Sequence, residues 1–232
     1  MNNSYVEIPR FSRIPWLLHG FGTADFSEDD LRAAGDRAGF HPIILQQVHS
    51  AAIHRIDAAP GKKLSGDGLM TNVSGLALVI KTADCLPVFL VDETRPTVAA
   101  LHCGWKGTQK RILERGIREL AGAYGSEPGS LLAALGPCIG PECYEVGRDV
   151  RDGFEQAGFP ETVFWRSPTT ADKFLLNLRE ANRWLLEAAG VRRGNIFSVD
   201  ACTRCRPELL SYRRDHDSSK RMFSFVAIKT RG

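Results

Sequence analysis

A chain of 232 residues, 43% hydrophobic and 25% charged, has the size and composition of a soluble globular domain. Its formal net charge of +3, with basic residues spread along the chain apart from Arg204, Arg206, Arg213 and Arg214, admits small anionic ligands. It lacks the clustered basic stripe of a nucleic-acid binder, and no apolar run approaches the length needed to span a bilayer.

The opening MNNSYVEIPRFSRIPWLLHGFG has neither the long apolar core nor the small-residue cleavage site of a signal peptide, so a cytoplasmic protein is expected. Residues 27–35, SEDDLRAAG, predict a short helix capped by Ser27, with acids in its first turn and a glycine stop. Residues 43–57 mix β-branched and polar side chains and read as one long strand or a strand pair. GLALVIKTA (75–83), PVFLVD (87–92) and TVAALH (97–102) are continuous apolar runs, which predict strands covered on both faces. A helix is expected over 107–124, with Leu113, Ile117, Leu120 and Tyr124 on one face. LLAALG (131–136) reads as a buried strand. VGRDVRDGFEQAG reads as a helix with Val146, Val150 and Phe154 in line. Asn177 and Glu180 resemble a capping box opening a third helix that runs to Gly190. IFSVDA (196–201) and RMFSFVAIK (221–229) complete the strands. The alternation predicts a single α/β domain over 1–232, layered in three, with a mixed β-sheet.

Three segments place reactive side chains at strand ends: QQVHS with His49, TADC with Cys85 and ALHCGW with His102. Sites in α/β sheets gather at such ends. Two imidazoles and a thiolate suit zinc and leave a fourth position for water or substrate. The plainer alternative is a buried small thiol with two hydrogen-bonded histidines. The same residues also fit a thiol nucleophile, Cys85, with His102 as base. A structural metal site from Cys138, Cys143, Cys202 and Cys205 is a further candidate, and its C-x-x-C at 202–205 is the better half. In a cytoplasmic chain the six cysteines are expected as thiols, metal ligands or catalysts rather than disulfides.

HGFGT, QQVHS, GDGLMTN, KTADCLPV, LHCGWKGT, GPCIGPECYEV and CT…SYRRD follow one another in this order between residues 19 and 215. Together they resemble the bacterial multicopper polyphenol oxidase (laccase-domain) family, now understood as zinc-dependent purine nucleoside phosphorylases. The resemblance implies zinc on His49, Cys85 and His102, with copper as the older assignment. It implies purine nucleoside and phosphate as substrates: adenosine, inosine and S-methyl-5′-thioadenosine are cleaved to base and sugar 1-phosphate, and adenosine is deaminated. The fold it implies is an α/β sandwich like that of a bacterial toxin's Cys–His deamidase domain. Two departures stand out. Lys106 and Cys103 replace a common arginine and a frequent alanine, and DHDSSKRMF varies a more usual Thr-Gly-Arg step.

Roles are then expected as follows. Deamination with such an ion needs a separate carboxylate as acid and base. Asp84, beside Cys85, is the candidate, against the plainer reading of a hydrogen-bonding partner or turn cap. Asp67 is either a site residue or an Asp-Gly turn. Strand alternation puts Gln47, not Gln46, on the face of His49, where it would meet the base. Gly136 and Gly140 offer close backbone approach to phosphate, and Arg213 is the positive charge assigned to the substrate. Phe21 is weighed between stacking on a purine and core packing. His41, His54 and His216 are expected in surface or structural roles. Rival readings are a Cys85/His102 hydrolase or deamidase, a copper polyphenol oxidase, which six histidines make implausible, and a zinc or nucleotide-binding module without turnover.

Overall fold

The computed structural model describes residues 4–230. In chain order, the first elements are β1 (Tyr5–Val6), α1 (Pro9–Ser12), β2 (Leu17–Gly22), α2 (Glu28–Ala38), β3 (His41–Ile44), β4 (Ile53–Arg55) and β5 (Gly68–Thr71). The central stretch holds β6 (Leu76–Thr82), β7 (Leu86–Asp92), β8 (Thr97–Cys103), α3 (Trp105–Gln109), α4 (Ile112–Tyr124) and β9 (Leu132–Leu135). There follow β10 (Glu145–Gly147), α5 (Arg148–Gln156), β11 (Phe164–Arg166), β12 (Lys173–Leu176), α6 (Leu178–Ala188), β13 (Ile196–Ser198), α7 (Tyr212–Asp215) and β14 (Met222–Ile228).

Two large mixed sheets carry the fold, in the orders β1-β2-β14-β6-β3 and β13-β9-β7-β8-β5-β4, and a small sheet β10-β12-β11 lies beside them. Alternation along the strands explains how they stack. On β7, Phe89 and Val91 join β8 residues Val98 and Ala100 in an apolar layer against Leu78 and Ile80 of β6 and Val226 of β14. The opposite face of the same strands, Val88, Leu90, Ala99 and Leu101, packs on Leu113, Ile117 and Leu120 of α4 and Leu185 of α6. Beyond the five-stranded sheet, Ala77, Val79 and Phe225 meet Leu31 of α2 together with Phe26 and Phe40. The α/β sandwich with mixed sheets is therefore as expected, but it has four layers, not three. A wholly apolar strand shows that both faces are covered; it does not show whether a helix or a second sheet covers them.

Several boundaries differ from expectation for local reasons. Helix α2 runs past Gly35 to a left-handed Gly39. Gly35 is there because a Cβ would lie 2.5 Å from the carbonyl oxygen of Phe40. The helix expected over 107–124 is two, broken at Arg111, whose φ of +59° is left-handed. Residues 43–57 hold parts of two strands rather than one long strand, and the two are not paired with each other. β3 and β4 lie in different sheets, and the loop between them carries His49.

Candidate metal centre

Strand β6 ends at Thr82 and β7 starts at Leu86, leaving Ala83, Asp84 and Cys85 to turn the chain from one sheet to the other. Asp84 takes φ +86°, a strained conformation for a residue with a side chain. Its carboxylate holds the turn in place. Oδ1 accepts a 2.6 Å hydrogen bond from Thr203 Oγ1, and Oδ2 accepts one of 2.7 Å from the Arg213 amide. Cys85 is thereby presented beside β8, where Pro87 pairs with His102.

His49 arrives from the loop after β3, again at a positive φ of 56°. Asp67, fully buried, organises that loop. It accepts hydrogen bonds from the amides of Val48, His49 and Ser50 at 3.3, 3.0 and 2.5 Å, and from Ser50 Oγ at 2.7 Å. The same carboxylate lies 2.8 Å from His102 Nδ1. With that nitrogen donating, the lone pair of Nε2 is free to ligate, the usual support for a metal-binding histidine.

One donor atom each from His49, Cys85 and His102 lies within 4.8 Å of the others. Cys85 Sγ is 4.0 Å from His49 Nε2, against about 3.6 Å for sulfur and nitrogen sharing a tetrahedral zinc. Two imidazoles and a thiolate within 4.8 Å of one another are a donor set that fits a zinc ion, and the same donors are of a kind that copper accepts. Space here is tight. A Cβ on Gly104 would lie 2.9 Å from Cys85 Sγ and 3.3 Å from His49 Cδ2. Burial opposes ionisation of the Cys85 thiol, but the two imidazoles outweigh it and hold the pKa at about 6. Burial likewise opposes charge on His102, and Cys85 with Asp67 outweighs it, raising the pKa to about 9. Both shifts act in one direction: they favour a proton on His102 over one on Cys85.

All three donors line one cavity of about 690 Å³, within the range of small-molecule sites. Trp105, Tyr144 and Tyr212 give it aromatic walls, and Lys63, Lys81, Arg213 and Arg221 give it positive charge. The Arg213 guanidinium lies over the Tyr144 ring, 5.4 Å from its centroid. Trp105, Tyr144 and Lys81 lie inside stretches the sequence marks out, LHCGWKGT, CYEV and KTADC, but no spacing argument singles them out. Thr203 and Ser50, which support the centre through Asp84 and Asp67, gave no sequence signal of their own.

Other expected residues sit elsewhere or work differently. Gln47 lines the cavity, but its amide is taken up by Lys81, donating to its carbonyl and accepting from its amide at 2.8 Å each. The alternation that selected it does not apply, because 46–50 is a loop. Gly136 is packed in the interior, where a Cβ would lie 2.4 Å from Phe21 and 2.7 Å from Pro87; it does not line the cavity. Phe21 is core, stacked on Phe89 with centroids 4.6 Å apart. His19 is buried, accepts from the Ile8 amide at 2.8 Å and has its pKa lowered to about 4 by burial. Arg214 is spent on the carbonyls of Thr203, Arg204, Arg206 and Leu209. Lys106 lies over the Trp105 ring. Of the four cysteines considered for a structural site, Cys143, Cys202 and Cys205 come together. Cys138 is buried apart, its thiol pushed up to about 11 by burial.

The chain is thus a four-layer α/β sandwich with a His–Cys–His group that could hold a metal ion, opening on a cavity. Over residues 28–229 the sequence matches the family described as multi-copper polyphenol oxidoreductase laccase, and the chain belongs to that family. It is 36% identical over 221 residues to a purine nucleoside phosphorylase of Deinococcus radiodurans, covering 91% of this chain and 83% of that one. It is 38% identical over 165 residues to adenosine deaminase RL5 of an unknown prokaryotic organism, covering 70% of this chain and 62% of that one. The crystal structure of the hypothetical protein YfiH of Bacillus licheniformis has a TM-score of 0.85 at 28% identity, over 92% of this chain and 93% of that one. That of YlmD from Geobacillus stearothermophilus shares the fold with a TM-score of 0.86 at 24% identity, over 98% and 99%. No helix among the described residues is long and apolar enough to cross a membrane.

Proposed function

We propose that this chain is a zinc-dependent purine nucleoside phosphorylase. It would convert adenosine, inosine or S-methyl-5′-thioadenosine and phosphate to the free base and the sugar 1-phosphate, and also deaminate adenosine. The observation that carries the reading is the convergence of His49, Cys85 and His102 on a cavity with aromatic walls and four cationic side chains. The names of the relatives, phosphorylase and adenosine deaminase, support the two reactions.

In phosphorolysis a phosphate oxygen bonds to C1′ as the bond from C1′ to the base breaks, and negative charge passes to the departing purine. A divalent ion on the three donors would supply Lewis-acid stabilisation of developing charge. The chain supplies the rest. Lys63, Lys81, Arg213 and Arg221 attract and neutralise the phosphate dianion. Trp105, Tyr144 and Tyr212 offer faces on which a purine can stack. Asp67 fixes the tautomer of His102 and the path of the His49 loop. Both oxygens of Asp84 are already hydrogen-bonded, so we assign it the positioning of Cys85 and Arg213 rather than proton transfer.

One observation favours a second reading: the depressed Cys85 thiol beside a protonated His102 is also the arrangement of a cysteine hydrolase. The two are separated by chromatography of adenosine incubated with the metal-loaded protein, with and without phosphate. Phosphate-dependent adenine, lost on chelation and in His49→Ala, supports the phosphorylase. Activity toward amides that survives both treatments and yields to alkylation of Cys85 refutes it.

A further inference from the structure

The sulfur atoms of Cys143, Cys202 and Cys205 lie within 4.8 Å of one another and share no ligand with the His49–Cys85–His102 centre. Cys143 Sγ is 3.4 Å from Cys205 Sγ. That is far beyond the roughly 2.05 Å of a disulfide, and all three are free thiols. It is close to the roughly 3.8 Å between two sulfurs on one tetrahedral zinc with bonds of about 2.3 Å.

The backbone is arranged to receive a charged sulfur. Cys202 Sγ accepts a 3.1 Å hydrogen bond from the Gly140 amide. Amide donors on a sulfur favour the thiolate, the form that ligates metal. Gly140 permits this approach: a Cβ there would lie 3.1 Å from both Cβ and Sγ of Cys202. The Arg204 guanidinium lies near the three thiols and supplies counter-charge. Cys205 is exposed, so an ion can enter from solvent.

We propose that Cys143, Cys202 and Cys205 form a second metal site, for a thiophilic ion such as Zn²⁺, that clasps the turn at Pro141–Cys143 to the turn at 202–206. Each thiol that joins the ion gives its proton to solvent. Both turns bear on the cavity. Tyr144 follows Cys143 in the wall. Thr203, between the two ligands of the C-x-x-C, donates to Asp84 beside Cys85. The second ion therefore fixes the wall against which the first centre works. It takes three of the four cysteines in the sequence pattern and leaves Cys138 in the core.

The probe is Zn²⁺ itself, titrated into reduced, chelator-stripped full-length protein, with bound ion counted by elemental analysis after gel filtration. Two equivalents are expected for the wild type and one for Cys143→Ser/Cys205→Ser. Cys205→Ser alone, at an exposed side chain, is expected to give the same loss with an unchanged melting curve in chelator. His49→Ala should lose the other equivalent, so failure at one centre is distinguishable from failure at the other. With Co²⁺, the ion retained by His49→Ala should show roughly three times the sulfur-to-metal charge-transfer absorption of the ion retained by Cys205→Ser, three thiolates against one. A single equivalent in the reduced wild type overturns the proposal, as do two equivalents in both serine variants. Recovery of a Cys143–Cys205 disulfide with one ion bound, from protein purified in zinc, overturns it in favour of a redox pair.

Discussion

Asp67→Asn is the most revealing substitution in the centre, because it keeps the shape of the side chain and changes one atom. In the wild type, Oδ1 accepts from the His49 amide and lies against His102 Nδ1, while Oδ2 accepts from Val48 and from both groups of Ser50. An asparagine that keeps its carbonyl on the Ser50 side turns an amino group toward two donors. Each lost hydrogen bond to a buried charged group costs about 1.5–3 kcal/mol, so the variant should lose about 3–6 kcal/mol of stability. Part of that is recovered if His102 changes tautomer and accepts at Nδ1, but the proton then sits on Nε2 and blocks the metal. Zinc affinity at this centre should fall about 10- to 100-fold, the usual effect of removing the partner of a ligating histidine. Urea unfolding in chelator and zinc competition against a chromophoric chelator measure the two quantities. Affinity within twofold of wild type, together with a stability loss under about 1 kcal/mol, would refute the role given to Asp67.

Three further outcomes are expected. Gly104→Ala should weaken zinc binding at the His49–Cys85–His102 centre about tenfold, because the new methyl group meets Cys85 and His49; its φ of −70° is ordinary for alanine, so melting in chelator should change by less than about 1 kcal/mol. Calorimetric zinc titration of Cys205→Ser, in buffers of differing ionisation heat, should show about one proton released per ion between pH 6 and 9. There Cys85 is already a thiolate and His102 must give up its proton; release should fade above about pH 9 and rise below about pH 6, where the Cys85 thiol carries a proton as well. Phe21→Ala should cost about 3–5 kcal/mol in urea unfolding, as expected for a fully buried aromatic stacked on Phe89, while leaving the KM for nucleoside unchanged in the folded protein.

The sequence made the centre legible where chemistry and strand ends coincide. Cys85 and His102 close apolar runs whose boundaries are sharp, and the structure puts Cys85 in the turn that enters β7 and His102 on the neighbouring β8. His49 was found by its motif, but its assignment to a strand was wrong. Its position depends on Asp67, eighteen residues away, collecting three loop amides, and no local periodicity encodes such a contact. The surroundings of Gln47 and Gly136 are hidden for the same reason. Their roles follow from Lys81 in the first case and from Phe21 and Pro87 in the second, partners that are distant in the chain. The number of layers was illegible because a buried strand has the same composition under a helix as under a sheet. The cysteine group was legible as a pattern, but which three of its four members converge was decided by the burial of Cys138.

The central claim is that His49, Cys85 and His102 hold one ion with a vertex open to the cavity. A crystal soaked in zinc and recorded at the zinc absorption edge tests it most directly. The account predicts an anomalous peak about 2.0–2.1 Å from one nitrogen of each histidine and about 2.3 Å from Cys85 Sγ, with a water or substrate atom as the fourth ligand. No peak between the three side chains, or a fourth protein side chain closing the vertex, would contradict it.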